Sequence, residues 1–342
     1  MKAVTFTRFG GPDVLEYGDR PEPAIAPDEA LVRVRACGIN HLDLWVRAGL
    51  PGLDPEMPHV LGNDVVGEIV AVGAAVRHLA VGAKTLVLPT LSCGTCPACM
   101  NGDDNTCRSY DVLGRRRNGG YAEYVSVPAV NCLPYPERLP WEQAAAMPLV
   151  FLTAWHMLVG RARLQPGETV LVMGGGSGVG TAAIQVARLL GARVIATTSG
   201  TGKAERCRAL GAHETVDHAA EDVAKRVREL TAKKGAEVVF EHVGGRVFEA
   251  GVASLARDGR LVTCGATIGG KVTLDVNVLF GKHVSLLGSW MGRRSEMLAV
   301  LRQIEAGTLV PVVDSVRPLA EARAAHERIE SRAHFGKLVL VP

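Results

Sequence analysis

The chain has 342 residues, of which 47% are hydrophobic and 21% charged, and a formal net charge of +3. That length suits two domains better than one, and that composition suits well-packed cores. The charge is too small to argue for nucleic acid or a membrane surface as partner. No apolar run approaches the roughly 20 residues of a membrane span, and the opening M-K-A-V-T-F-T-R-F-G lacks the apolar core of a signal peptide.

The first 125 residues read as strands and turns. Residues 32–36 alternate apolar and polar, and 65–72 and 84–88 are further strand candidates with Gly and Pro between them. No long helical period precedes Trp141. Inside this stretch lies C-G-T-C-P-A-C-M-N-G-D-D-N-T-C, which carries Cys93, Cys96, Cys99 and Cys107. Tetrahedral zinc takes four thiolates at about 2.3 Å, and C-x2-C turns bring two sulfurs onto one ion. Four thiolates leave no vacancy for water or substrate, so such a site is structural. The competing reading is two disulfides. The remaining cysteines (Cys37, Cys132, Cys207 and Cys264) are scattered singly, a usage that fits a reducing cytoplasm.

Residues 141–159 turn helical, interrupted at Pro148. From Glu168 the pattern changes again. Strand candidates at 168–173, 192–198, 215–217, 237–241, 260–264 and 284–287 alternate with helices at 180–190, 203–210, 223–231 and 246–255. Six strands alternating with helices predict a doubly wound parallel sheet of the Rossmann kind. The fold class is therefore α/β. Residues 1–150 form a β-rich domain with a cysteine lobe at about 90–110, residues 151–290 form the nucleotide domain, and residues 291–342 return to the first domain.

Between the first of those strands and its helix runs M-G-G-G-S-G-V-G. Read as G-x-G-x-x-G, it places Gly175, Ser177 and Gly180 in register, with Gly178 and Val179 opening the helix. Glycines permit the tight turn, and the helix N-terminus offers free N–H groups to a pyrophosphate. Ser177 replaces the middle glycine, and its hydroxyl is a further donor. An NAD site places Asp or Glu about 20 residues on, at the ribose 2′-hydroxyl. Here that stretch is A-T-T-S-G-T-G-K. Thr198, Ser199 and Lys203 suit a 2′-phosphate, so NADPH is expected over NADH, and Thr153 is added to the cofactor-binding candidates.

With the cysteine loop and glycine turn in place, the chain resembles the medium-chain dehydrogenase/reductase superfamily over essentially its whole length. The resemblance rests on G-G-P-D-V-L-E, C-G-I-N-H-L-D-L, H-V-L-G-N-D-V-V-G-E-I-V, the cysteine loop, G-G-Y-A-E-Y-V and F-G-K-L-V-L. It implies a GroES-like catalytic domain and homodimers or homotetramers joined through nucleotide domains. Zinc alcohol dehydrogenases of the family hold a second, catalytic zinc with Cys, His and Cys. At the matching positions this sequence has Asn40, Asn63 and Leu149 or a close neighbour. Asp64 stands for the Glu beside that His, and Leu42 for the proton-relay hydroxyl. Cys37 lies three residues too early and is expected in the core.

Losing that ion has a large consequence. Zinc lowers the pKa of bound water from 15.7 to about 7, on the order of 10 kcal/mol of help for an oxyanion. A conjugated acceptor needs less, because hydride attack leaves a delocalised enolate that a few donors stabilise. The resemblance to the quinone and enoyl reductase branch, with its N-x-x-[DE]-x-x-x-R pattern, makes Asn40 the residue that orients substrate or nicotinamide. Asp43 and Arg47 are expected to form an ion pair.

The catalytic candidates are therefore Asn40, His41, His59 and Asp64, with a histidine, water or ribose hydroxyl as proton source. Trp45, Trp155 and Trp290 are candidate pocket walls. Arg115-Arg116-Arg117 and Arg293-Arg294 are solvated charge, or a grip for a coenzyme A thioester. The expected activity is NADPH-dependent reduction of a small activated double bond or quinone, with one structural zinc. Two alternatives stay open: an alcohol dehydrogenase holding zinc through His41, His59, Asp64 and Cys37, and an NADPH-binding redox sensor without turnover.

Overall fold

The computed structural model describes residues 1–342. The chain divides into two compact units, Met1–Leu149 with Arg293–Pro342, and Val150–Gly292. No helix is long and apolar enough to cross a membrane.

The first unit is built on a seven-stranded sheet. In order across it run Cys132–Pro134, Lys84–Val87, Asp64–Val72, Glu29–Gly38, Lys337–Val341 and Val313–Pro318, with Tyr124–Pro128 also paired to Glu29–Gly38. Strand Glu29–Gly38 alternates buried and exposed positions along Ala30, Val32 and Val34, as a strand with one covered face should. Its last residue, Gly38, lies opposite Asp64 on one side and Val339 on the other. A side chain at Gly38 would collide with the Ala145 carbonyl, so only glycine permits this close approach.

Sequence reading missed several helices in this unit, Arg294–Ala306 and Ala322–Glu330 among them, and most tellingly His41–Ala48. Its apolar residues Leu42, Leu44 and Val46 fall at every second position, a strand-like spacing that hides the helical turn. The helix forms because Asp43 Oδ2 accepts the Asn40 N–H at 2.7 Å, and it stops at Gly49, where φ is +96°. The helical stretch is interrupted before Pro148 as expected: one helix, Trp141–Ala145, ends there and Pro148 opens the next, Pro148–Trp155, since the first turn needs no N–H there. A π-helix, His156–Arg161, continues it.

The second unit is the expected six-stranded parallel sheet. Its strands run Glu214–Asp217, Arg193–Thr198, Thr169–Val172, Ala236–Glu241, Leu255–Thr263 and Ser285–Gly288 across the sheet. Numbered by appearance within the unit this is 3-2-1-4-5-6, the doubly wound order whose direction reverses beside strand 1. Leu171, Ile195, Val216, Val239 and Leu261, one from each of five strands, pack into its core. The sixth strand is an open edge. It and the preceding helix, Val276–Lys282, leave Val276 and Phe280 exposed.

Candidate active site and metal centre

The register around Gly38 brings together residues far apart in sequence. Asn40 follows Gly38 by two residues, and Lys337 precedes Val339 by two on the antiparallel neighbour. Both therefore emerge at the same end of the sheet, beside Asp64. The Lys337 ammonium donates to the Ile39 carbonyl at 2.6 Å, Asn40 Oδ1 at 2.5 Å and Asp64 Oδ2 at 2.9 Å. Its three N–H groups thus meet three acceptors. Asp64 also accepts from Asn40 Nδ2 at 2.9 Å and from the Leu149 amide at 2.8 Å. Asn63 donates to the Leu113 carbonyl at 2.5 Å and offers Oδ1 to Asn40 Nδ2 at 3.4 Å. Side-chain exposure is 4% for Lys337 and 0% for Asp64. A buried charge this dry needs its partner, because an unpaired one costs several kcal/mol.

This cluster gathers Asn40, Asn63, Asp64 and Leu149, the positions at which the family pattern places a catalytic metal and its neighbour. Lys337 escaped sequence reading because F-G-K-L-V-L reads only as a closing strand; the signal was a lysine inside an otherwise apolar run.

The other candidates separate from it. His41 opens its helix half-buried, its ring centroid 6.4 Å from Trp45 and 6.3 Å from His334. His59 is buried in the short strand His59–Val60. Its Nε2 lies 3.1 Å from the Gly114 carbonyl and its ring meets Phe6 edge-on, and burial holds its pKa below the usual histidine value. The Cys37 sulfur packs against Gly62 and Gly120, and burial pushes its thiol pKa well up. Cys37, His41, His59 and Asp64 therefore do not assemble into a metal site, which corrects the alternative ligand set. The expected Asp43–Arg47 pair is replaced as well. Asp43 Oδ1 accepts from the Gly62 amide at 3.0 Å, while Arg47 pairs with Glu330 and with His326 Nδ1 at 2.8 Å. Burial raises the Asp43 carboxyl to about 7, and burial beside Arg47 lowers His326 to about 3.

The only place where three or more candidate ligand atoms gather is the cysteine lobe. There the sulfur pairs 93–99, 96–99, 96–107 and 93–107 are 3.9, 3.6, 3.8 and 3.6 Å apart. A disulfide would need about 2.05 Å. A tetrahedron with arms of about 2.3 Å has edges of about 3.8 Å, so the quartet fits a tetrahedral ion such as zinc. Asp103 and Asp104 fasten the lobe, the first to Arg293 at 2.7 Å and the second to the Arg294 amide at 3.1 Å. The Arg294 guanidinium goes to the Val130 carbonyl. Arg115 pairs with Asp111 at 2.8 Å. These three arginines are committed within the protein, which weakens their reading as a coenzyme A grip.

In the second unit the turn 173–177 follows strand Thr169–Val172. Gly174 has φ +64°, and its amide donates to Thr197 Oγ1 at 2.9 Å. Gly180 admits no side chain, since a Cβ would collide with the Gly174 carbonyl. Ser177 caps helix Gly178–Leu189, accepting from the Gly180 amide at 2.9 Å and donating to the Gly174 carbonyl at 2.8 Å. Its hydroxyl proton is thus engaged inside the turn, and the helix N-terminus around Gly178 and Val179 is the part that suits a phosphate. His242, which the sequence did not flag, reaches this turn through Ser177 Oγ at 3.2 Å and the Met173 carbonyl at 2.9 Å. Thr198, at the end of the second strand, is buried with no partner for its hydroxyl. Ser199 beside it is exposed and Lys203 half-buried. Asp217, across from Thr198 in register, accepts the Gly200 amide at 3.1 Å. Thr153 is buried, its hydroxyl 4.0 Å from the Met291 sulfur.

Comparison with known proteins matches both units. A model described as alcohol dehydrogenase GroES-like domain covers residues 26–137, and one described as zinc-binding dehydrogenase covers residues 178–306. A crystal structure of an NAD-dependent alcohol dehydrogenase superposes with a TM-score of 0.97 at 46% identity, over 100% of both chains. The NAD-dependent alcohol dehydrogenase of Sulfolobus acidocaldarius is 30% identical over 99% of each chain. The quinone oxidoreductase of Rattus norvegicus is 29% identical over 100% of this chain and 98% of its own.

Proposed function

The chain belongs to the medium-chain dehydrogenase/reductase superfamily and is an oxidoreductase of that kind, and from this premise we propose that it reduces a small activated C=C bond or quinone with NADPH. The single observation that carries the reading is the Lys337 ammonium, bonded to both Asn40 and Asp64 among positions that hold neither Cys nor His. A cluster already neutralised by its own lysine has little to offer a divalent cation. It suits an acceptor made electron-poor by conjugation, which needs hydrogen-bond donors rather than a Lewis acid.

Asn40 is the donor. Lys337 fixes its Oδ1 and Asp64 takes one Nδ2–H, so the amide cannot flip. Its other N–H faces only the long 3.4 Å contact to Asn63, and an acceptor's oxygen can compete for it. The proton that completes reduction comes from water or a cofactor ribose hydroxyl, since the His41 ring lies by Trp45 and His334. The nicotinamide, when bound, supplies the hydride.

Thr198, Ser199 and Lys203 support NADPH, because hydroxyls and a lysine stand where an NAD site places an acid. Asp217 opposes it, but this half-buried carboxylate already accepts the Gly200 and Ala219 amides. The cysteine quartet would hold one structural zinc with no open coordination position. The exposed edge strand Ser285–Gly288 supports a homodimer formed through the second unit. The singly scattered Cys37, Cys132, Cys207 and Cys264 support a reducing cytoplasm.

The test is an acceptor screen, following oxidation of NADPH and NADH with quinones, enones and enoyl-CoA thioesters, beside oxidation of simple alcohols with NADP+ and NAD+. Turnover of a quinone or enone at least about a hundredfold above any simple alcohol is expected. Alcohol oxidation as fast as reduction of the conjugated acceptors overturns the proposal. Cofactor binding without turnover across the panel points instead to the sensor.

A further inference from the structure

The first unit contains a cavity of about 560 Å³ that shares no residue with the Asn40 cluster. It is framed by Met1 and Thr5, the segment 20–23, Glu56 and Pro58–Val60, the loop 116–119, and Tyr124–Ser126. Its volume lies within the range of small-molecule sites.

Three arginines line it, and two are already held in place. Arg20 donates to Thr5 Oγ1 at 2.6 Å and to the Asp19 carbonyl at 3.1 Å. Its Nε–H is buried with no acceptor. Arg117 is fixed by Glu29 at 2.7 Å and by the Ser126 hydroxyl and carbonyl at 3.1 Å, all through one terminal nitrogen. That leaves the rest of its fork uncommitted by these bonds. Arg116 is half-exposed, and its nearest acid is Asp111 at 3.7 Å, beyond a good hydrogen bond. Asn118 anchors the loop that carries both, accepting the Val60 amide at 2.9 Å. The two acids in the lining, Glu22 and Glu56, are exposed. Pro21, Pro58, Val60 and Tyr124 supply apolar surface beside these groups.

We propose that this cavity binds a small phosphomonoester, its phosphate held by the forks of Arg20, Arg116 and Arg117 and its organic part resting on the proline and tyrosine surface. Pre-positioned guanidinium groups match the phosphate oxygens in shape and charge. The site is separate from the reductase reading and stands whether or not that reading holds.

The probes are glycerol 1-phosphate and inorganic phosphate, with glycerol and chloride of matched ionic strength as controls. Binding is followed by calorimetry on the full chain with its nucleotide turn saturated with NADPH or NADH, so that phosphate does not enter there. Saturable binding of both phosphates and not of the controls is expected. Arg116→Ala, on an exposed side chain, should weaken it about tenfold, and Arg20→Gln by at least as much. Both variants should keep the wild-type circular dichroism and cofactor affinity. A tighter fit of glycerol 1-phosphate than of inorganic phosphate identifies the ester as the ligand class. Phosphate binding no stronger than chloride, or binding unchanged in Arg116→Ala and Arg20→Gln, overturns the proposal.

Discussion

Two clusters in the first unit solve the same electrostatic problem in opposite ways. The cysteine lobe gathers four sulfurs 3.6–3.9 Å apart and brings no positive side chain into their midst. As thiolates they would repel each other unless a cation stood between them. The Asn40 cluster brings its own cation, because Lys337 donates to every acceptor that turns toward it. On the reading proposed above, the cysteine lobe takes a scaffold ion, while the Asn40 cluster, already holding an ammonium, does without an electrophilic one.

The sharpest way to break that contrast is to remove its two cations separately. Elemental analysis should find one zinc per chain, bound through the cysteine lobe. Cys96→Ser should release it and unfold the lobe, since structural zinc sites draw on the order of 10 kcal/mol from the metal. Two tightly held zinc ions per chain would erase the distinction. Lys337→Met should cost about 3–5 kcal/mol in urea unfolding by leaving the buried Asp64 carboxylate without its counterion. Adding Asp64→Asn to that variant should recover much of the loss. If the double variant is no more stable than the single one, the ion pair is not what binds the cluster together.

The pH dependence sharpens the comparison further, because two buried groups near the cluster pull in opposite directions. Asp43, raised to about 7, favours the folded state at low pH, and that contribution fades as pH climbs toward 7. His326, lowered to about 3, favours the folded state above its unfolded value, and that contribution fades as pH falls toward 3. Between about pH 4 and 6.5 the two slopes, each near 1.4 kcal/mol per pH unit at most, should largely cancel. His326→Gln should expose a stability that falls with rising pH, and Asp43→Asn one that rises. Parallel pH profiles in the two variants would refute this pairing. The smallest expected effect is at the nucleotide turn. Lys203→Ala should raise the KM for NADPH several-fold with little change for NADH, as fits loss of one partly solvated phosphate contact.

The cysteine lobe and the glycine turn were legible in the sequence because their chemistry is local. Cys93 and Cys107 lie within one short loop, and the turn 173–180 is one strand-to-helix connection. The doubly wound sheet was legible for a related reason, since each strand and helix announces itself by its own period. The Asn40 cluster was legible only in part. Asn40, Asn63 and Asp64 stood out by matching a family pattern, but Lys337 lies at the far end of the chain from Asn40 and meets it only through strand register. His242 escaped notice likewise, reaching Ser177 from the end of another strand. The hidden helix His41–Ala48 shows the limit of periodicity itself, because alternation over so short a stretch imitates a strand.

The placement of Lys337 also sets an order of events in biosynthesis. Strand Lys337–Val341 inserts between Glu29–Gly38 and Val313–Pro318 in the sheet, so one of its inner ribbons is translated after the whole nucleotide-binding unit. Until it arrives, Asp64 has no counterion and the rim of Glu29–Gly38 next to it is bare. A nascent chain stalled before residue 337 would therefore carry a folded cofactor unit beside an unfinished neighbour, and would be a natural client for chaperones that shield open sheet edges.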